Sequence, residues 1–177
     1  VFHSSGTTEQ RPSRHFHNAE SLAVYEASLW SWLVENVRFP IADCRLLILT
    51  PSPTQAPHSS LVHMFDFVRR NSGVETGDFV GRVSADGAWT VDFDAALAAL
   101  SRVDSRPLLV FGTAFSFVHL LEELTASNTR LQLPSDSRVL ETGGYKGRSR
   151  ALPKAELHAL LTERLGVPES HIVCEYG

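Results

Sequence analysis

Four short apolar runs divide the chain: RLLILT at residues 45–50, PLLVF at 107–111, RVLET at 138–142 and HIVCE at 171–175. Between them lie segments whose apolar residues recur at helical spacing. A strand that is apolar along its whole length is buried on both faces, and helices alternating with such strands cover both sides of a parallel sheet. The order therefore predicts an α/β fold: an open, mostly parallel sheet with helices on both faces, joined by right-handed crossovers. Ligands of such sheets sit beyond the carboxyl ends of the strands. The loops that follow strands are thus where a site is expected.

The helical segments carry their own boundaries. Asn18 is placed to cap a helix running to about Val37, with Leu22, Tyr25, Leu29, Trp32 and Leu33 at helical spacing. A second helix spans residues 59–71, with Leu61, Met64, Phe65 and Val68 on one face. Asp92 caps an Ala-rich helix ending near Val103, and another helix covers residues 113–125. Pro153 suits the first turn of a helix with Leu157, Leu160, Leu161 and Leu165 on its face, and Gly166 stops it. Residues 1–3 read as the end of a strand, and residues 73–89 as a Gly-rich, irregular stretch with room for short strands. The chain opens on Val1 inside one strand-like run and stops at Gly177 directly after another. Domains usually end in exposed polar segments, so further residues are expected on both sides.

Composition narrows the function. A chain of 177 residues with 43% hydrophobic content is long enough for one domain with a core. The net charge of −4 gives no general case for nucleic acid or an anionic membrane, and the 14 Arg and two Lys are scattered. No signal peptide and no apolar run of membrane-spanning length is visible. Cys44 and Cys174 form neither a disulfide framework nor a CxxC metal pair, which fits a reducing cytoplasm.

Three segments carry chemistry. Residues 4–13 read SSGTTEQRPS, directly after a strand. Ser4, Ser5, Thr7, Thr8 and Ser13 offer hydroxyls, Gly6 and its neighbours offer free amides, and Gln10 adds a polar side chain. Such groups wrap phosphate oxygens without bulk, and Arg11 and Arg14 add charge. The motifs GxxxxGK[ST] and GxGxxG are absent, and an ordinary Ser/Thr-rich turn is the plain alternative. The second segment, Glu141-Thr142-Gly143-Gly144-Tyr145-Lys146, follows another strand. Its paired glycines admit a flat ligand close to the backbone, Tyr145 offers a stacking ring and Lys146 a cation. Taken alone, the pair reads as a glycine-permitted tight turn. The third, Cys174-Glu175-Tyr176-Gly177, says little by itself, and Cys174 reads as a small core residue rather than a nucleophile.

Together these segments resemble the adenylate-forming superfamily of acyl-CoA synthetases, luciferases and related ligases. SSGTT is similar to that superfamily's phosphate loop, GGYK to its Gly-rich turn beside the adenine, and EYG to the start of its Tyr-Gly-x-Thr-Glu segment, in matching order. Within it, LETGGYKGRSR at 140–150 and LGVPESHIVCEYG at 165–177 look most like the acyl-protein synthetases, the fatty-acid luciferin-component ligases. Phenylacetate-CoA-ligase-like enzymes are the near alternative. The departures are Glu9, where the superfamily usually has Gly, Pro12 one residue late, and Ser13 in place of Lys. Glu9 is expected to point away from phosphate.

The resemblance implies the N-terminal ATP- and acyl-binding part of a ligase. ATP with Mg²⁺ and a carboxylic acid, fatty acyl by subfamily, would give acyl-AMP, and the acyl group would pass to a thiol or a partner protein. Ser4, Ser5, Gly6, Thr7, Thr8, Gln10 and Ser13 would bind phosphate. Gly143, Gly144, Tyr145, Lys146, Glu175, Tyr176 and Gly177 would bind AMP. The family's catalytic lysine and acceptor cysteine belong to its C-terminal part, so no catalytic residue or metal ligand is assigned among these 177 residues, which would be inactive alone. Two rivals remain. One is a non-catalytic nucleotide- or acyl-binding module of the same fold. The other is a hydrolase using Ser5, for which no GxSxG elbow speaks. His15 and His17 read as surface residues, and Phe115 and Phe117 as core before acyl pocket.

Overall fold

The computed structural model describes residues 1–3, 14–38, 40–74, 77–143 and 152–175. Its elements, in chain order, are β1 (Phe2–His3), β2 (Arg14–His15), α1 (Ala19–Val37), β3 (Arg45–Ile48), α2 (Ser60–Asn71), β4 (Gly77–Phe79), β5 (Gly81–Val83), β6 (Trp89–Val91), α3 (Phe93–Leu100), β7 (Leu108–Thr113), α4 (Ala114–Ala126), β8 (Arg138–Thr142), α5 (Lys154–Leu165) and β9 (Ile172–Glu175). Five strands form an all-parallel sheet in the order β4-β3-β7-β8-β9. The α/β open parallel sheet expected from the apolar runs is therefore the fold.

Side chains alternate across a strand, and two cores follow from that alternation. Leu47, Leu108, Val110, Val139 and Ile172 point to one face, where α3, α4 and α5 cover them through Ala96, Leu100, Phe117, Leu121, Leu157 and Leu161. Leu46, Ile48, Leu109, Phe111 and Leu140 point to the other, against Leu29, Leu33 and Val37 of α1 and Met64, Phe65 and Val68 of α2. The division has a topological cause. From β3 the chain steps outward to β4, but from β7 to β8 to β9 it steps the opposite way. Right-handed crossovers in opposite directions place their helices on opposite faces.

Helix ends obey the local chemistry. Asn18 accepts a hydrogen bond from the Ser21 amide at 2.8 Å, Ser59 from Val62 at 3.2 Å, Asp92 from Ala95 at 3.1 Å and Thr113 from Ser116 at 3.1 Å. Gly166 ends α5 in the left-handed conformation, φ 68°.

Two sequence expectations need correction. Residues 1–3 do not end a strand of the parallel sheet: β1 pairs antiparallel with β2 in a separate ribbon, Phe2 opposite His15 and His3 opposite Arg14. The Gly-rich stretch does hold short strands, as expected: β4 is the edge strand of the main sheet, and β5 and β6 form an antiparallel pair. Gly-Asp-Phe lacks an apolar run because an edge strand has one neighbour. Finally, α3 stops at Leu100 instead of Val103, which is fully exposed.

Gly81 packs against the end of β3, its amide donating to the Thr50 carbonyl at 3.1 Å. A methyl group there would overlap the Thr50 carbonyl carbon and the Pro51 nitrogen, both backbone. Gly87→Ala meets open space and only a positive φ of 79°. Urea unfolding should therefore show a loss of about 3 kcal/mol for Gly81→Ala and about 1 kcal/mol for Gly87→Ala. Equal losses would mean that the two backbones are not in contact.

Candidate functional site

The carboxyl ends of the five parallel strands share one edge of the sheet, and α2, α4 and α5 begin on that side because each returns the chain antiparallel to the strands. At this edge His3 donates its amide to the His58 carbonyl at 2.8 Å, and the two imidazoles stack with centroids 4.7 Å apart. His58 belongs to the connection between β3 and α2, so the ribbon leading into residues 4–13 is fastened to the carboxyl side. Gly143 follows β8 on that side as well, and Thr142 of β8 stands in register with Glu175 of β9.

Of the residues expected to bind nucleotide, Gly143 and Glu175 are described. Ser4, Ser5, Gly6, Thr7, Thr8, Gln10, Ser13, Gly144, Tyr145, Lys146, Tyr176 and Gly177 lie outside the described residues, as do Glu9, Arg11 and Pro12.

A cavity of about 250 Å³ opens on the α1–α2 face, lined by Tyr25, Ser28, Leu29 and Trp32 of α1, Met64 of α2 and Glu175. Alternation explains Glu175: Val173 packs into the α1–α2 core, and two residues later Glu175 faces the same way. Burial alone raises the Glu175 carboxyl above its ordinary range. Burial, then the charges of Glu175 and Glu26, raise the Tyr25 phenol. Beside the cavity, the rings of Phe2, His17 and His63 surround Tyr25, and His63 Nε2 lies 2.9 Å from Glu26 Oε1.

Cys174 faces the opposite side, where its register partner Glu141 is 3% exposed and stands 3.8 Å from His158 Nε2. Burial and then Glu141 raise the Cys174 thiol, with Lys154 opposing, and burial pushes Cys44 up to about 11. Neither thiol is prepared as a thiolate nucleophile at neutral pH. Among the described residues, no group of three His, Cys, Asp or Glu is arranged to hold a metal ion.

Phe117 is wholly buried in the α3–α5 core, as expected for packing, and neither Phe115 nor Phe117 lines the cavity. His15 and His17 are exposed. Sequence reasoning placed Tyr25 and Trp32 on the apolar stripe of α1 and missed the cavity. The available signal was their type: rings with polar edges at i and i+7 suit a wet pocket better than a dry core.

A raised carboxyl value means that the protonated form favours the folded state. That contribution is complete below the unfolded-state value of about 4.3 and is lost as pH rises through the higher folded value. Glu175→Gln, neutral at every pH, should therefore gain stability relative to the parent between pH 4 and pH 7. Paired thermal melts across that range test this, and a difference that does not move with pH would show that the carboxyl is not desolvated.

Comparison with protein-family models, curated proteins and solved structures returns no match to this chain.

Proposed function

We propose that this chain is the nucleotide- and acyl-binding part of an ATP-dependent acid–thiol ligase that activates a carboxylic acid, fatty acyl by its nearest resemblance, as acyl-AMP before transfer to a thiol. The observation that carries this reading is the meeting of loop stems at one edge. His3, leading into SSGTT, is bonded to His58 beyond β3, while Gly143, leading into GGYK, follows β8 beside Glu175. A phosphate loop and an adenine turn serve one nucleotide only if they start from the same edge of the sheet.

In this reading the hydroxyls of Ser4, Ser5, Thr7, Thr8 and Ser13, with the amides around Gly6, donate hydrogen bonds to the phosphates and hold them for attack by the carboxylate. Gly143 and Gly144 let adenine approach the backbone, Tyr145 stacks, and Lys146 meets an anion. Gln10, Glu175, Tyr176 and Gly177 complete the binding set. Mg²⁺ would arrive with the phosphates, and its role is to neutralise their charge. Preorganised donors at a place where charge develops are the largest contribution that these residues make. Two free thiols and, among the described residues, no helix long and apolar enough to cross a membrane suit a ligase of the cytoplasm.

The full-length protein should exchange pyrophosphate into ATP only when a carboxylic acid is supplied. No exchange with any acid from acetate to stearate would overturn the reading. Each hydroxyl–phosphate bond is worth about 1.5–3 kcal/mol, part of it realised as pyrophosphate leaves. Thr8→Ala should thus slow exchange about tenfold to a hundredfold, in kcat as well as KM, with an unchanged melting temperature. A lower melting temperature with parental exchange would make the segment an ordinary turn.

A further inference from the structure

We propose that the cavity between α1, α2 and the end of β9 binds a small organic ammonium ion, with Glu175 as its counter-charge and Tyr25 and Trp32 as its aromatic walls. This goes beyond the nucleotide reading and departs from it at one residue: Glu175 serves the ammonium here, not AMP.

The lining is chemically uneven. Leu29 and Met64 are apolar, Tyr25 and Trp32 are aromatic, Ser28 stands exposed at the mouth, and Glu175 brings the one carboxylate. The surrounding core on this face is hydrophobic. Among the described residues no cationic side chain forms an ion pair with that carboxylate, and its burial raises its proton affinity. The other titratable groups beside the cavity are Tyr25, Glu26, His17 and His63, and none of them is paired with Glu175 among the described contacts. Tyr25 is neutral at pH 7 and is held so by burial. Glu26 Oε1 is engaged by His63 Nε2 at 2.9 Å.

A ligand that settles here must bring positive charge. Carboxylates and phosphates meet like charge in a half-buried setting. A bare metal ion would find one carboxylate among the described lining residues. An ammonium group pairs with the carboxylate and lays its substituents on π faces and a polarisable thioether, the combination that recognises alkylammonium groups. At about 250 Å³ the space suits a ligand of roughly ten heavy atoms, below the usual range for drug-sized molecules.

The test uses the full-length protein without ATP and three probes of one shape: phenethylammonium, 2-phenylethanol and 3-phenylpropionate. Calorimetry should show the ammonium binding about tenfold or more tighter than the alcohol, and the carboxylate not at all. Glu175→Gln should bring the ammonium down to the affinity of the alcohol. Trp32→Ala should weaken both. Ser28→Lys, which tethers an ammonium at an exposed position on the rim, should block the probe without touching the core. The proposal is overturned by equal binding of alcohol and ammonium, by unchanged ammonium binding in Glu175→Gln, or by no ammonium binding at millimolar concentration. Displacement of phenethylammonium by adenosine would also overturn it by giving the cavity to adenine, while leaving the ligase reading in place.

Discussion

The backbone ladder between β3 and β7, Arg45 to Ile48 against Leu108 to Phe111, joins two strands buried along their whole length. Each supplies alternate side chains to both cores, so neither core closes without this pair. The ladder is also where the direction of winding reverses. Chain that leaves β3 toward β4 and chain that runs from β7 toward β9 diverge, and their helices fall on opposite faces. The sheet's carboxyl edge inherits its layout from that reversal: the α1–α2 layer on one side, the α3–α5 layer on the other, and the connections between them on the rim.

The last two residues of β9 show how far this layout reaches into chemistry. Cys174 faces α5, beside the buried Glu141 and His158, while Glu175 faces α1 and α2. One step along a strand thus separates a thiol whose proton affinity is raised by burial and a carboxylate from a carboxylate that is raised by burial alone. Desolvation acts on both: it keeps the thiol from being a ready thiolate, and it leaves the acid with a raised proton affinity on a cavity wall. Neither outcome follows from the residue type.

Much of the fold was legible in the chain. RLLILT, PLLVF, RVLET and HIVCE could be located to within a residue or two because strands buried on both faces must be apolar throughout. Asn18, Ser59, Asp92 and Thr113 marked helix starts because a side-chain oxygen there satisfies an otherwise orphaned amide. β4 was legible only as room for a short strand, because an edge strand of three residues needs no apolar run. The Ala-rich helix was carried on to Val103 because propensity does not register that the chain must turn back toward β7. The candidate site was legible only in part. Its loops announced themselves through Ser, Thr and Gly, whereas the cavity is assembled from α1, α2 and β9, and no local pattern joins Trp32 to Glu175.

The sequence by itself determined the alternation of strands and helices, the helix caps, the left-handed stop at Gly166 and the two core-facing periodicities, since each is settled by neighbours within a turn or a pleat. Tertiary structure decided the strand order, the antiparallel pairing of residues 2–3 with 14–15, and the side of the sheet on which each helix lies. It also decided that Glu175 stands beside the rings of Tyr25 and Trp32. The physical reason is handedness acting on connectivity: a right-handed crossover places a helix only after the next strand has chosen its neighbour, and that choice is made by contacts between residues far apart in the chain.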